Sequence, residues 1–286
     1  MRELLGNIRY AGSFHDFLGD LAAVDVEPVA RGGIPYAVIA ARSNPRWWLL
    51  PLDNRRAAVA GLEMLQPMSL RASLAKAGAR AIARFGPHTL LGKGNLRLSG
   101  LPDLVEAFNG RATSVAYFTG TDGPHRKTSM QIMDSDGAIL GYAKISRAPH
   151  VRPYLRREAS MLGHFAAKGL RSADIPRVQA YLEDAAVTIV VTDSLKSAIH
   201  TTPLALGPDH LAFLEELRSH GEANCAGVLL DDLATETRRL AALAGPDWTA
   251  RMAHIDSSLR PHADSIPLCL CHGDFTPWNT FVQRGR

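Results

Sequence analysis

Residues 272–279 read HGDFTPWN, from His272 to Asn279. Asp274 stands five positions before Asn279, in a polar stretch that follows the apolar run IPLCL at 266–270. A carboxylate and a carboxamide at this spacing suit phosphoryl transfer. The carboxylate orients a hydroxyl and accepts its proton, and the carboxamide oxygen binds Mg²⁺. Asp, Asn, Gly and Pro also favour ordinary turns, so eight residues alone do not decide the matter.

The order of elements upstream does. ATSVAYFTG (112–120), TSMQIMD (128–134) and AILGYAKIS (138–146) are strand candidates, the last two joined by a tight Ser135-Asp136-Gly137 turn. Pro153 to Lys168 reads as a helix, with Leu155, Ala159, Leu162 and Phe165 on one face. RVQAYLED (177–184) and AVTIVVTDS (186–194) are two further strands, and helices are expected at 208–220, 228–243 and 247–261. Strands first and helices afterwards predict a two-lobed α+β module.

With that order in view, HGDFTPWN resembles the catalytic loop of the aminoglycoside phosphotransferase and choline kinase family, whose fold is protein-kinase-like. The protein-kinase loop has the same Asp-to-Asn spacing. The resemblance implies Asp274 as the catalytic residue, Asn279 as a Mg²⁺ ligand and His272 as a hydrogen-bonding support of the loop. It implies that Lys144, in the third strand, holds ATP phosphates and pairs with Glu158 on the next helix. Gly120, Thr121, Asp122 and Gly123 fall where a loop covers the phosphates with backbone N–H groups. Thr192, Asp193 and Leu195 fall where the fifth strand runs into an adenine-reading hinge.

The fold class expected is therefore α+β, in two parts. A small α/β region of unassigned function spans 1–110. A protein-kinase-like domain spans 111–286, with a five-stranded N-lobe sheet and one helix at 111–195 and a partial, helical C-lobe at 196–286. The implied cofactors are Mg²⁺ and ATP, with GTP as the alternative nucleotide. The implied partner is a small hydroxyl acceptor such as a sugar, an aminoglycoside or a choline-like alcohol. The family pattern continues past the catalytic loop to a strand whose Asp binds a second position on Mg²⁺, whereas this sequence stops seven residues after Asn279. The expectation is a truncated C-lobe and little or no phosphotransferase activity for the 286 residues. A non-catalytic nucleotide-binding scaffold is the alternative.

Composition narrows the remaining classes. Of 286 residues, 46% are hydrophobic and 21% charged, which suits a globular chain and excludes a disordered or fibrous one. No run approaches the roughly 18 apolar residues of a membrane span, and the charged N-terminus lacks the apolar core of a signal peptide. Three cysteines cannot close a disulfide framework, so a reducing, cytoplasmic setting is expected. The net charge of +4 belongs wholly to residues 1–110, with 13 Lys/Arg against 9 Asp/Glu; the remainder balances at 19 against 19. Between 42 and 97 the count is 10 to 2. There Lys76, Arg80 and Arg84 share one helix face, while Leu70, Leu74, Ala77 and Ala81 line another. Such a helix can lie on an anionic membrane or polyanion, although a solvated helix packed on a core is the commoner explanation. Trp47-Trp48 suit either a stacking platform or a buried strand.

Overall fold

A computed structural model describes residues 11–40, 46–65, 67, 69–87, 91, 95–120, 123–196, 200–201, 205–220, 226–266, 270 and 280–283. Contacts along the chain divide it into two units. One draws on Met1–Gly169, Asp174–Thr201 and Phe281–Arg286, the other on Leu170–Ala173 and Thr202–Thr280.

The first unit is built on one antiparallel sheet. Its strands are β1 (Ile34–Ala40), β2 (Trp47–Pro51), β3 (Asn95–Leu98), β4 (Ser114–Phe118), β5 (Thr128–Met133), β6 (Ile139–Ser146), β7 (Val178–Glu183) and β8 (Thr188–Asp193). They lie in the order β3-β1-β2-β4-β5-β6-β8-β7. The five strands expected after residue 111 are present, but the sheet they form has eight. The seam lies between β2 and β4, where Trp48 pairs with Phe118 and Leu49 with Tyr117. The side chain of Thr119 also accepts the backbone N–H of Trp47, at 3.0 Å. Residues 34–98 thus extend the sheet across the boundary expected at 110. The reason is economy of edges: β4 would otherwise present unpaired backbone groups to water.

Strand alternation gives the sheet two covered faces. On the first, Trp47, Leu49, Tyr117, Met130, Ile132, Ala143, Ile145 and Val191 form a continuous buried cluster. Helix α1 (Ala11–Ala22) covers it with Phe14, Phe17, Leu18 and Leu21, spaced three and four residues apart as one helical stripe. On the second face, Ala37, Leu50, Ala116 and Met133 meet Ala57, Ala58 and Leu62 from α2 (Arg55–Gly61) and the 3₁₀ turn that follows it (Leu62–Met64). Ala83 of α3 (Leu70–Phe85) joins the same cluster. Small residues let these helices approach closely.

Local chemistry sets the boundaries. Asn54 caps α2, its side chain accepting from Arg56 and Ala57 N–H at 2.9 and 3.2 Å, and Ser69 caps α3 through Ala72 N–H. Helix α4 (Arg152–Lys168) starts with Pro153 in its first turn and ends at Gly169, whose φ of 71° terminates it. A two-stranded ribbon pairs β9 (His200–Thr201) with β10 (Val282–Gln283).

The second unit is helical: α5 (Pro208–Ser219), α6 (Gly227–Ala244), α7 (Pro246–Leu259) and a 3₁₀ turn at Arg260–Ser265. Its return turn is held where Ala226 N–H donates to Ala263 O, at 3.1 Å. Arg260 bridges Asp231 and Asp256 at 2.8 and 2.7 Å. Glu216 accepts the backbone N–H groups of Arg171 and Ser172, both at 2.8 Å.

Candidate nucleotide-phosphate site

Lys144 lies on β6 at a position opposite in facing to Ala143 and Ile145, which enter the first core. Its side chain therefore projects on the second face, towards α4. There Leu155 is buried, and Glu158, one turn further along, receives the Lys144 ammonium on Oε1. The other carboxylate oxygen faces Lys127 Nζ, at 3.8 Å. The Lys144 and Glu158 side chains are 35% and 27% exposed, so the pair is reachable from solvent. One carboxylate thus holds two ammonium groups on a single face. That arrangement presents positive charge to an anion and fixes where it lies.

Lys127 is a site residue that sequence reading missed. It ends the loop between β4 and β5, and nothing in HRK marks one cation of three.

The β4–β5 loop begins at Gly120, whose φ is +78°. A Cβ there would lie 2.3 Å from the carbonyl oxygen of Lys127, so the position requires glycine on two counts. Gly123 has φ +147°. Thr121 and Asp122 lie outside the described residues. From the opposite side, α1 secures the loop. Arg126 Nη2 donates to Ser13 O at 2.8 Å, and Asp20 accepts from Thr128 Oγ1 and Arg147 Nε at 2.8 and 3.1 Å. Burial pushes the Asp20 carboxyl above its ordinary value despite those donors. Ser13, Asp20, Arg126 and Arg147 line an open cavity of roughly 510 Å³ with Gly123, Pro124 and His150.

At the end of β8, Thr192 pairs with Tyr142, the residue two before Lys144. The Asp193 carboxylate is engaged locally. It accepts from Arg177 N–H at 2.7 Å and from Gln179 Nε2 at 3.4 Å, bracing β7 against β8. Ser194 N–H returns to Leu140 O at 2.9 Å, which turns the chain through Leu195. Lys196 then folds its ammonium over the Tyr142 ring, 5.8 Å from the centroid. Burial lowers the Lys196 pKa and raises that of Tyr142.

The structure brings Lys144 and Glu158 into contact and sets Thr192 two ladder positions away. His272, Asp274 and Asn279 lie outside the described residues. Among the described residues no group of three or more His, Cys, Asp or Glu side chains forms a metal site, and no helix is long and apolar enough to cross a membrane.

Part of the basic face expected on α3 is engaged within the chain. Lys76 and Arg80 both pair with Glu63, each at 3.2 Å, and Arg84 covers the Phe85 ring at 5.2 Å. Trp47 is buried, as the strand reading has it. Trp48 stacks on Phe118, with centroids 5.0 Å apart and planes 11° from parallel.

Comparison with known proteins gives a family for part of the chain. No curated protein matches the chain, and no solved structure does. The family model described as the phosphotransferase enzyme family (APH) matches residues 106–286, which takes in the Lys144–Glu158 pair, the β4–β5 loop and HGDFTPWN. The chain belongs to the APH phosphotransferase family.

Proposed function

We propose that the protein transfers the γ-phosphate of ATP to a hydroxyl of a small molecule. The observation that carries this reading is the Lys144–Glu158 ion pair, which joins a central strand to the helix that follows it. Glu158 holds the Lys144 ammonium in place, so the cation is ready to meet phosphate oxygens without first paying to order a long side chain. Lys127, drawn to the same carboxylate, adds a second positive charge. Backbone N–H groups around Gly120 and Gly123 cover the phosphates.

Asp274 orients the acceptor hydroxyl and takes its proton, and His272 supports the loop. Asn279 holds Mg²⁺, which when bound neutralises charge on the transferring phosphoryl group. All three residues come from the string HGDFTPWN. Thr192 to Leu195 receive the base through backbone groups; the Asp193 side chain, already engaged with Arg177, braces the turn. A reducing compartment, the cytoplasm, suits three cysteines that have no pairing framework.

The test is ADP release from ATP-Mg²⁺ by the purified chain, with sugars, aminoglycosides and choline-like alcohols as acceptors. Turnover, low in keeping with the impaired activity expected above, should depend on the acceptor and be lost in Asp274→Asn. Lys144→Met should weaken it by roughly 10- to 100-fold, since a hydrogen bond to a charged group contributes about 1.5–3 kcal/mol. Turnover indifferent to both substitutions overturns the assignment. Nucleotide binding without turnover would favour a non-catalytic scaffold.

A further inference from the structure

The ladder defines which residues share the face that carries Lys144. One row across the sheet runs Trp48, Phe118, Ser129, Lys144, Val190. The adjoining row runs Ala116, Gln131, Tyr142, Thr192. Tyr142 is two residues from Lys144, about 6.6 Å along the strand at 3.3 Å per residue. A molecule with phosphates at Lys144 and a base at Thr192–Leu195 must therefore cross the second row, over Tyr142. This inference rests on the nucleotide reading above.

The Ala116–Gln131 end of that row is already occupied by the chain itself. Gln131 is fully buried, and its Nε2 donates to Ala60 O of α2 at 2.8 Å. A Cβ on Gly61 would lie 2.9 Å from both Ala116 Cβ and Leu50 Cδ2, so the end of α2 rests directly on the strands. Trp48 Nε1 donates to Met64 O in the 3₁₀ turn, at 3.4 Å. Next in line stands Glu63. It pairs with Lys76 and Arg80 of α3 and is close enough to act electrostatically on Tyr142 and Lys196.

The contact is not fully satisfied. Gln131 Oε1 is buried with no hydrogen-bond partner among the described residues. A buried acceptor left unpaired carries a desolvation cost, which favours any arrangement in which water or a ligand meets it.

We propose that α2, its 3₁₀ turn and α3 form an intrachain cover over the base-bearing part of the nucleotide site, clasped by Glu63, and that the cover lifts when nucleotide binds. Apparent affinity is then reduced by the fraction of molecules in which the cover is closed. Loosening the clasp raises it.

The experiment uses the whole chain and ADP as the probe, with affinity read by calorimetry and movement by hydrogen exchange. Lys76→Met removes one ion pair of the clasp and Glu63→Ala removes both, and the two change local charge in opposite directions. Roughly fivefold tighter ADP binding in both, the scale of one partly exposed ion pair, together with faster exchange at 55–64 and 70–85 on adding ADP, supports the cover. An affinity that falls in Lys76→Met and rises only in Glu63→Ala is plain electrostatics and overturns it. Wild-type ADP binding with unchanged protection in α2 and α3 also overturns it while leaving the nucleotide reading intact. No ADP binding by any form defeats both. Should Glu63→Ala unfold, Glu63→Gln, which removes the same negative charge and keeps the side-chain shape, takes its place.

Discussion

Leu49→Ala tests whether residues 34–98 and the strands after 111 fold as one body. Leu49 lies on β2, is fully buried, and pairs with Tyr117 across the seam. The substitution removes three buried carbons. At about 0.8 kcal/mol each, the transfer cost is roughly 2.4 kcal/mol. The cavity adds to this, and leucine truncations in cores span about 2–5 kcal/mol. In one cooperative sheet the whole loss falls on every strand, including those that do not touch Leu49. Native-state hydrogen exchange reads this directly at Met130, Ile132 and Ala143, all fully buried on β5 and β6. Where those amides exchange by global opening, their rates should rise by roughly 30- to 5,000-fold, the same free energy at 1.4 kcal/mol per decade. Independent modules would behave otherwise: protection would fall in β1–β3 and stay unchanged in β5 and β6. That result would refute the single-sheet reasoning.

Asn54→Ala should lower stability by about 1–2 kcal/mol in a urea titration. It removes the cap of α2 and the 2.9 Å bond from Asn54 Nδ2 to Ser135 O in the β5–β6 turn. Gly141→Ala places a carbon 2.1 Å from Thr192 O and 2.4 Å from Phe108 Cζ. A melting shift equivalent to about 3 kcal/mol is expected, the upper range for overpacking. Stability should also fall with acid. The hydrogen bond from Arg156, aided by Tyr181, holds Glu183 down to about 2 against an ordinary 4.5, and Ser172 with two backbone N–H groups holds Glu216 equally low. Because the folded values lie below the unfolded ones, this stabilisation is complete above pH 4.5 and is lost as pH falls towards 2. Urea midpoints from pH 6 to 2.5 should drop less steeply in Glu183→Gln than in the parent chain.

Much of the local structure was legible because periodicity and punctuation agree. The spacing of Leu155, Ala159, Leu162 and Phe165 places α4 within a residue of its observed ends, and the four-residue recurrence of Lys76, Arg80 and Arg84 marks α3. Lys144 and Glu158 were marked from their order in the chain, and the structure puts them in contact. Two elements escaped. Helix α1 carries its apolar stripe at Phe14, Phe17, Leu18 and Leu21 beneath a scatter of charge that drew attention instead. Strand β3 is four residues between glycines, too short for alternation to declare itself, yet Leu96 and Leu98 are buried.

Sequence alone marked the phosphotransferase family, because the family's motifs recur in a set order along the chain. Order is written in one dimension. Three things were decided only in three dimensions. The sheet continues through the seam at Trp48 and Leu49, so the basic N-terminal region is not a separate body. Lys76 and Arg80 spend their charge on Glu63, which no helical spacing reveals because their partner lies in another element. Likewise Gln131 lies under α2, a contact spanning 71 residues of sequence. Pairing between strands and packing between helices depend on which surfaces meet, and surfaces far apart in the chain carry no mark of it until they touch.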